Sequence, residues 1–385
     1  MREAVLVLLV VAVACAAHAQ RPPPCGTAPW PHWTRYVEAF ISSDGRVIER
    51  SAADRTTSEG EAYALFFALV AGDRPLFDRL LKWSQENLGR GDLAQHLPAW
   101  NWGKRRDGSW GVIDPNSASD ADLWMGYALL EAGRLWSEPR YADLARQILS
   151  RVVAREISDL AGLGPMLLPG PAGFVLPGDR GVRLNPSYQP PQILRRFSSA
   201  EMPGPWNAVL SSSIRTLRET ARSGVIADWV LYRPHRGFAP DSVHGALGSY
   251  DAIRAYLWIG MLSEQDDAAG ELTRAVGGLL REFRETGKLP ERIDVLSGHA
   301  GGAAPIGFYA ALMPLARAAS DERSFKVLDE RVAAAAKNGL YGDPPTYYDQ
   351  NLVLFARGFL DGRFRFDADG TLHTAWERQC LGRTR

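Results

Sequence analysis

Three short stretches place carboxylates in matching settings. "TSEGEAYAL" (57–65) sets Glu59 and Glu61 at the mouth of an apolar helical run. "SASDADLW" (117–124) does the same for Asp120 and Asp122, and "GSYDAIR" (248–254) for Asp251. Each acid follows hydroxyls that can cap a helix: Thr57 or Ser58, Ser117 or Ser119, and Ser249. Acids in a first turn complement free N–H groups and the helix dipole, so each is ordinary by itself. Gly60 is not. Glycine in a helical turn costs roughly 1 kcal/mol relative to alanine, and its place beside Glu59 predicts a close approach to the backbone. Carboxylates gathered at one place suit glycosidic-bond hydrolysis. That reaction needs one carboxylic acid to protonate the leaving oxygen and one carboxylate to attack or to activate water. A helix N-terminus favours the charged form of Glu59, which is wrong for an acid. Like charges on Asp120 and Asp251, and burial under Tyr63 and Phe67, would act in the opposite sense.

The loops leading to these acids carry flat side chains. "LPAWNWGKRRDGSWGVIDPN" holds Trp100, Trp102 and Trp110; Tyr188, Tyr250 and Tyr348 lie in "LNPSYQPPQ", "GSYDAIR" and "PPTYYDQ". Sugar C–H faces stack on such surfaces, and so do core neighbours. Two other readings of acids plus aromatics are a terpene cyclase, initiated from "SDAD", and a non-catalytic glucan-binding scaffold. The polar, Asn- and Arg-bearing loops argue against the apolar cavity that a cyclase needs.

The elements that must bring the acids together are helices. About eleven segments repeat apolar residues at i, i+3, i+4 and i+7. One set is rich in glycine and aromatics and poor in charge: "EAYALFFALVAG", "LWMGYALLEAG", "AIRAYLWIGML" and "GFYAALMPLA". The helix after each carries Arg, Lys and Glu on one face, as in "LFDRLLKW" and "YADLARQILSRVVARE". Helices apolar all round are buried, and one-sided ones lie outside. The alternation predicts a closed ring of six helical hairpins in an all-α domain spanning 20–385, with the acids at one end of the inner helices. Strands are scarce; "RFRF" and "TLHTAW" around "DADG" read as a small β-hairpin near the C-terminus.

Acidic and basic residues balance at 44 each in 385 residues, giving zero net charge and no basic run for a nucleic acid. Arg2, the run "AVLVLLVVAVACAA" and small residues up to Ala19 read as an export signal over 1–19, too short for the ~20 residues of a membrane span. Export leaves two cysteines, Cys25 and Cys380, near the ends of the mature chain. In an oxidising compartment such a pair predicts a disulfide rather than a metal site. The histidines show no metal-ligand spacing, and nothing calls for a cofactor.

These motifs together resemble glycoside hydrolase family 8, the inverting (α/α)6-barrel endoglucanases once called cellulase family D. "ASDADLWMGYALLEAGRLW" (118–136) is similar to the family signature, departing at Gly126 where alanine is usual. The resemblance implies Glu59 as general acid and Asp251 as general base. It also implies Asp120 as the residue that binds and distorts the central sugar, Arg254 as a sugar-site arginine, and Tyr188 in the cleft. "LPAWNWGK", "LAGLGPMLLPG" and "YYDQNLVLF" are similar to periplasmic members encoded with bacterial cellulose synthases. That similarity implies a β-1,4-glucan substrate, a periplasmic site and a functional association with a cellulose synthase complex. Chitosan, xylan and mixed-linkage glucan are the other substrates the family allows.

Overall fold

The computed structural model describes residues 29–377. The export signal and both Cys25 and Cys380 lie outside the described residues. Among the described residues, thirteen α-helices alternate between an outer and an inner layer. The outer ones are α1 (Pro31–Phe40), α3 (Arg74–Asn87), α5 (Pro139–Glu156), α7 (Trp206–Thr220), the pair α9 (Ala269–Ala275) and α10 (Gly278–Thr286), and α12 (Glu322–Ala334). Between them run the inner ones: α2 (Ser58–Ala71), α4 (Ser119–Leu135), α6 (Pro191–Ser199), α8 (Ala252–Gly260), α11 (Ile306–Ala318) and α13 (Tyr347–Leu360). The result is an (α/α)6 barrel.

Layering follows from side-chain chemistry. From Gly60 to Val70 every residue of α2 is buried, whereas α3 buries only the stripe Leu76, Phe77, Leu80, Leu81, Trp83 and Ser84. Edge-to-face and offset ring pairs are favourable beyond their area. Phe66 and Trp124 meet edge-to-face at 5.1 Å, and Tyr63 and Phe355 at 5.0 Å, joining α2, α4 and α13 along the barrel axis. The first and last inner helices touch at Gly60, where an added Cβ would stand 2.3 Å from Tyr347 Oη. The close approach expected at this glycine is therefore another helix of the same ring.

Several local expectations are corrected. Helix α6 was legible only as loop. It is nine residues long and opens on Pro190 and Pro191, too short for its stripe to stand out. The run after Ala269 divides into α9 and α10, because Gly278 is pressed against the neighbouring loop and its N–H donates to Gly224 O at 2.9 Å. Of the candidate caps, Thr57 accepts from Gly60 N, but Ser117, Ser119 and Ser249 do not cap. Short strands are also more numerous than expected, forming six small sheets among the described residues. Three of these sheets lie in the loops leading to the inner helices: 56–57 with 101–104 and 110–114; 182–184 with 230–233 and 237–240; and 247–248 with 292–294 and 300–301. The hairpin Phe364–Phe366 with Leu372–Thr374 forms as expected, its turn closed by Gly370 N donating to Asp367 O at 2.9 Å.

Candidate active site

The N-terminal ends of α2, α4, α8 and α13 meet in one open cleft, about 670 Å³ including its solvent mouth. Glu59, Asp120, Asp251, Arg254, Trp100, Tyr188, Tyr250 and Tyr348 all line it. Arg254 is the hub, with a side chain only 3% exposed. Its Nη1 contacts Glu59 Oε2 and stands 3.3 Å from Asp120 Oδ2. Its Nη2 donates to Asp251 Oδ1 at 2.7 Å and to Ser187 Oγ at 3.2 Å. The guanidinium thus touches all three predicted acids, a burial that rules out an incidental surface ion pair. Its plane also lies over the Tyr188 ring, 5.5 Å from the centroid.

Three carboxyls around one cation leave an excess of negative charge in a poorly hydrated place, so protons are retained there. Burial pushes Asp120 up to about 7, against hydrogen bonding that pulls it down, including Ala121 N donating at 2.8 Å. Asp251 is also pushed up to about 7, first by burial and then by the charges of Asp228 and Asp120. Trp229 Nε1 donates to Asp251 Oδ2 at 3.0 Å and opposes that rise. Asp251 still keeps 31% of its side chain open to the cleft, so one edge can meet a water.

The neighbouring acids separate by environment. Glu61 is not an ordinary first-turn charge. It is wholly buried on the other side of α2, accepting from Val47 N at 2.7 Å and facing Ser84 Oγ at 3.4 Å. Asp122 is paired with Glu156 of α5, and Ser117 Oγ donates to Glu156 Oε1 at 2.6 Å. Burial raises both members of that pair, so the pair favours the protonated form.

Trp102 does not reach the cleft. Trp100 and Trp102 would share a face in a regular strand, but the register shifts between Asn101 and Trp102. Trp102 instead stacks on Trp110 at 5.4 Å with Arg46 over its ring at 4.5 Å. Sequence reasoning also missed Trp229, Asp228 and Tyr347. The only available signal for Tyr347 was its adjacency to Tyr348. Asp228 and Trp229 lie in "IADWVLYR", a stretch without helical period.

The acids of this cleft stand on α2, α4 and α8 around one arginine, and the chain that carries them has relatives. A family model described as Glycosyl hydrolases family 8 matches residues 5–362. The chain belongs to glycosyl hydrolases family 8. It is a glycoside hydrolase of the cellulase class. It is 44% identical to an endoglucanase of Xanthomonas axonopodis pv. citri, over 97% of this chain and 96% of that one. It is 40% identical to an endoglucanase of Escherichia coli K12, over 91% and 92%. The solved endo-1,4-D-glucanase of Vibrio fischeri ES114 superposes with a TM-score of 0.82 at 39% identity, covering 90% of this chain and 99% of that one. Among the described residues no helix of this family-8 chain is long and apolar enough to cross a membrane.

Proposed function

We propose that this family-8 hydrolase is an endo-1,4-β-glucanase that inverts the anomeric carbon. The observation that carries the residue roles is the sharing of Arg254 by Glu59, Asp120 and Asp251 inside an aromatic-walled cleft. Glu59 gives its proton to the leaving glycosidic oxygen. Asp251, ionised, takes a proton from the water that attacks from the opposite face of the sugar. Asp120 holds the central sugar, its like charge helping to keep a proton within the cluster. No covalent intermediate forms, since the second carboxylate activates water. Trp100, Tyr250 and Tyr348 offer faces to neighbouring sugars.

Relatives named endoglucanase at 40–44% identity favour β-1,4-glucan over chitosan, xylan or mixed-linkage glucan. The apolar segment before Ala19 supports export to the periplasm, where the enzyme would cut glucan leaving a cellulose synthase complex. Reducing-end release from carboxymethyl cellulose, chitosan, xylan and mixed-linkage glucan tests the substrate; carboxymethyl cellulose is expected to be cut fastest. Proton NMR of the first product tests the stereochemistry. The α-anomer is expected, and an initial β-anomer overturns inversion.

A further inference from the structure

Asp251 occupies the N-cap position of α8 but makes no cap hydrogen bond. The turn is held from elsewhere. Asp228 Oδ1 accepts from Ser249 N at 2.7 Å and from Ala252 N at 2.8 Å, and its Oδ2 accepts from Ser249 Oγ. Asp228 is itself anchored, its N–H donating to Leu247 O at 2.7 Å. Two residues earlier, Ile226 N donates to Tyr256 Oη of α8 at 2.8 Å. An acid from a separate segment therefore does the capping that the aspartate at the helix start would otherwise do, and leaves the Asp251 carboxyl free to face the cleft.

The next residue acts on that carboxyl directly. Trp229 donates to Asp251 Oδ2, while Arg254 holds Oδ1, so both oxygens have a fixed partner. The indole cannot swing away. It is stacked on Phe174 at 5.9 Å and 4° and on His244 at 6.2 Å and 30°, with Arg183 4.9 Å over its face. Arg183 in turn is held by both oxygens of Asp241, at 2.7 and 3.0 Å.

We propose that Asp228 and Trp229 form a positioning pair for Asp251, the first fixing the turn that carries it and the second fixing its rotamer. The proposal rests on reading Asp251 as the general base. The two residues act on the base with opposite electrical sign. Asp228 is a buried like charge, and Trp229 is a donor to the ionised form. The other charged or titratable groups facing Asp251 are Arg254 on α8, Asp120 on α4, Glu59 on α2 through Arg254, Tyr188, and Tyr348 on α13. None of these changes in the variants below.

The test uses the full-length mature enzyme carrying Asp228→Asn or Trp229→Phe. Asparagine still accepts the two backbone N–H groups but removes the charge. The acidic limb of kcat/KM on carboxymethyl cellulose is expected to move down by on the order of one pH unit in Asp228→Asn. In Trp229→Phe it is expected to move up by roughly half a unit. A role in folding alone would lower both rates without displacing either limb in opposite senses. Limb shifts of one sign overturn the proposal, and so do limbs that stay fixed together with an Asp251 resonance that stays fixed. If Asp228→Asn does not fold, the upward shift demanded of Trp229→Phe decides the matter alone. Carboxyl titration by carbon-13 NMR, with Asp251→Asn identifying the resonance, separates the two readings. If the resonance shifts in opposite directions while the rate limb stays fixed, the pair is real and Asp251 is not the base. If the resonance is unmoved, the pair fails whatever the rates do.

Discussion

The two ends of the barrel treat buried carboxylates in opposite ways. At the far end Glu131 is fully buried, yet Arg196 Nε reaches Oε1 at 2.6 Å and Arg134 Nη2 reaches Oε2 at 2.7 Å. Leu372 N of the C-terminal hairpin adds a third donor at 3.2 Å. One acid has two cations and an amide. At the cleft end the ratio is reversed, with Arg254 shared by three acids. A satisfied buried charge locks neighbouring elements together, and removing one partner leaves the others stranded. An under-neutralised cluster keeps protons it can pass on. The same side-chain types thus serve cohesion at one end and chemistry at the other, with the ratio of cations to acids differing between the two clusters.

Substitution at the cleft should break activity alone. Glu59→Gln and Asp251→Asn are each expected to lower kcat by ~10²–10⁴-fold while glucan binding and melting stay near wild type. Either variant keeping more than about a tenth of wild-type turnover would remove that residue from its role. Substitution at the far end should do the converse. Glu131→Ala is expected to cost about 3 kcal/mol in chemical denaturation, tempered by the partial exposure of Arg134. The kcat of the folded fraction should not change; a hundredfold fall would erase the contrast between the ends.

Proton affinity sharpens the comparison. Asp120 and Asp251 are pushed up from 3.8 to about 7 on folding. A carboxyl raised in the folded state binds protons more tightly there, so its contribution to stability is complete below the unfolded value and is lost as pH rises through the folded one. The protein should melt at a higher temperature at about pH 5 than at about pH 8, considering these two groups. Over the same interval kcat/KM should fall toward acid, because Asp251 must be ionised to act as base. Parallel melting curves and rate profiles check this; trends of equal sign would contradict it. The smallest effect concerns the tryptophans. Trp100→Ala should raise KM severalfold with little change in melting, since stacking on a sugar is worth a modest free energy. Trp102→Ala should leave KM unchanged and lower the melting temperature, because its ring packs on Trp110 and Trp83.

Much of this was legible in the sequence, for physical reasons. The inner helices announce themselves because a helix enclosed on every side must be apolar on every side, as α2 is. Glu59, Asp120 and Asp251 could be read because each stands at the start of such a helix, where the chain emerges from the core at a predictable end. Trp102 was misread because one irregular pairing in a strand reverses the face of all that follows. Helix α6 escaped because two prolines and nine residues look like a loop. Asp228 and Trp229 could not be found, since their partners on the Asp251 turn are reached only through tertiary folding, and no local pattern marks that contact.

Gly60 has a consequence for timing. Its backbone face is filled by Tyr347, and the neighbouring Tyr348 contributes a wall of the cleft, so nearly the whole described chain lies between the two halves of one small site. A chain made from its N-terminus exposes Glu59 early and acquires those tyrosines last. Partial products and chains halted before α13 therefore carry the acid without its surroundings, and contacts this distant in sequence form late. The cleft is complete only once α13 has joined the ring. For an enzyme proposed to meet its glucan across a membrane, cutting is expected to wait until the chain through α13 has crossed and folded.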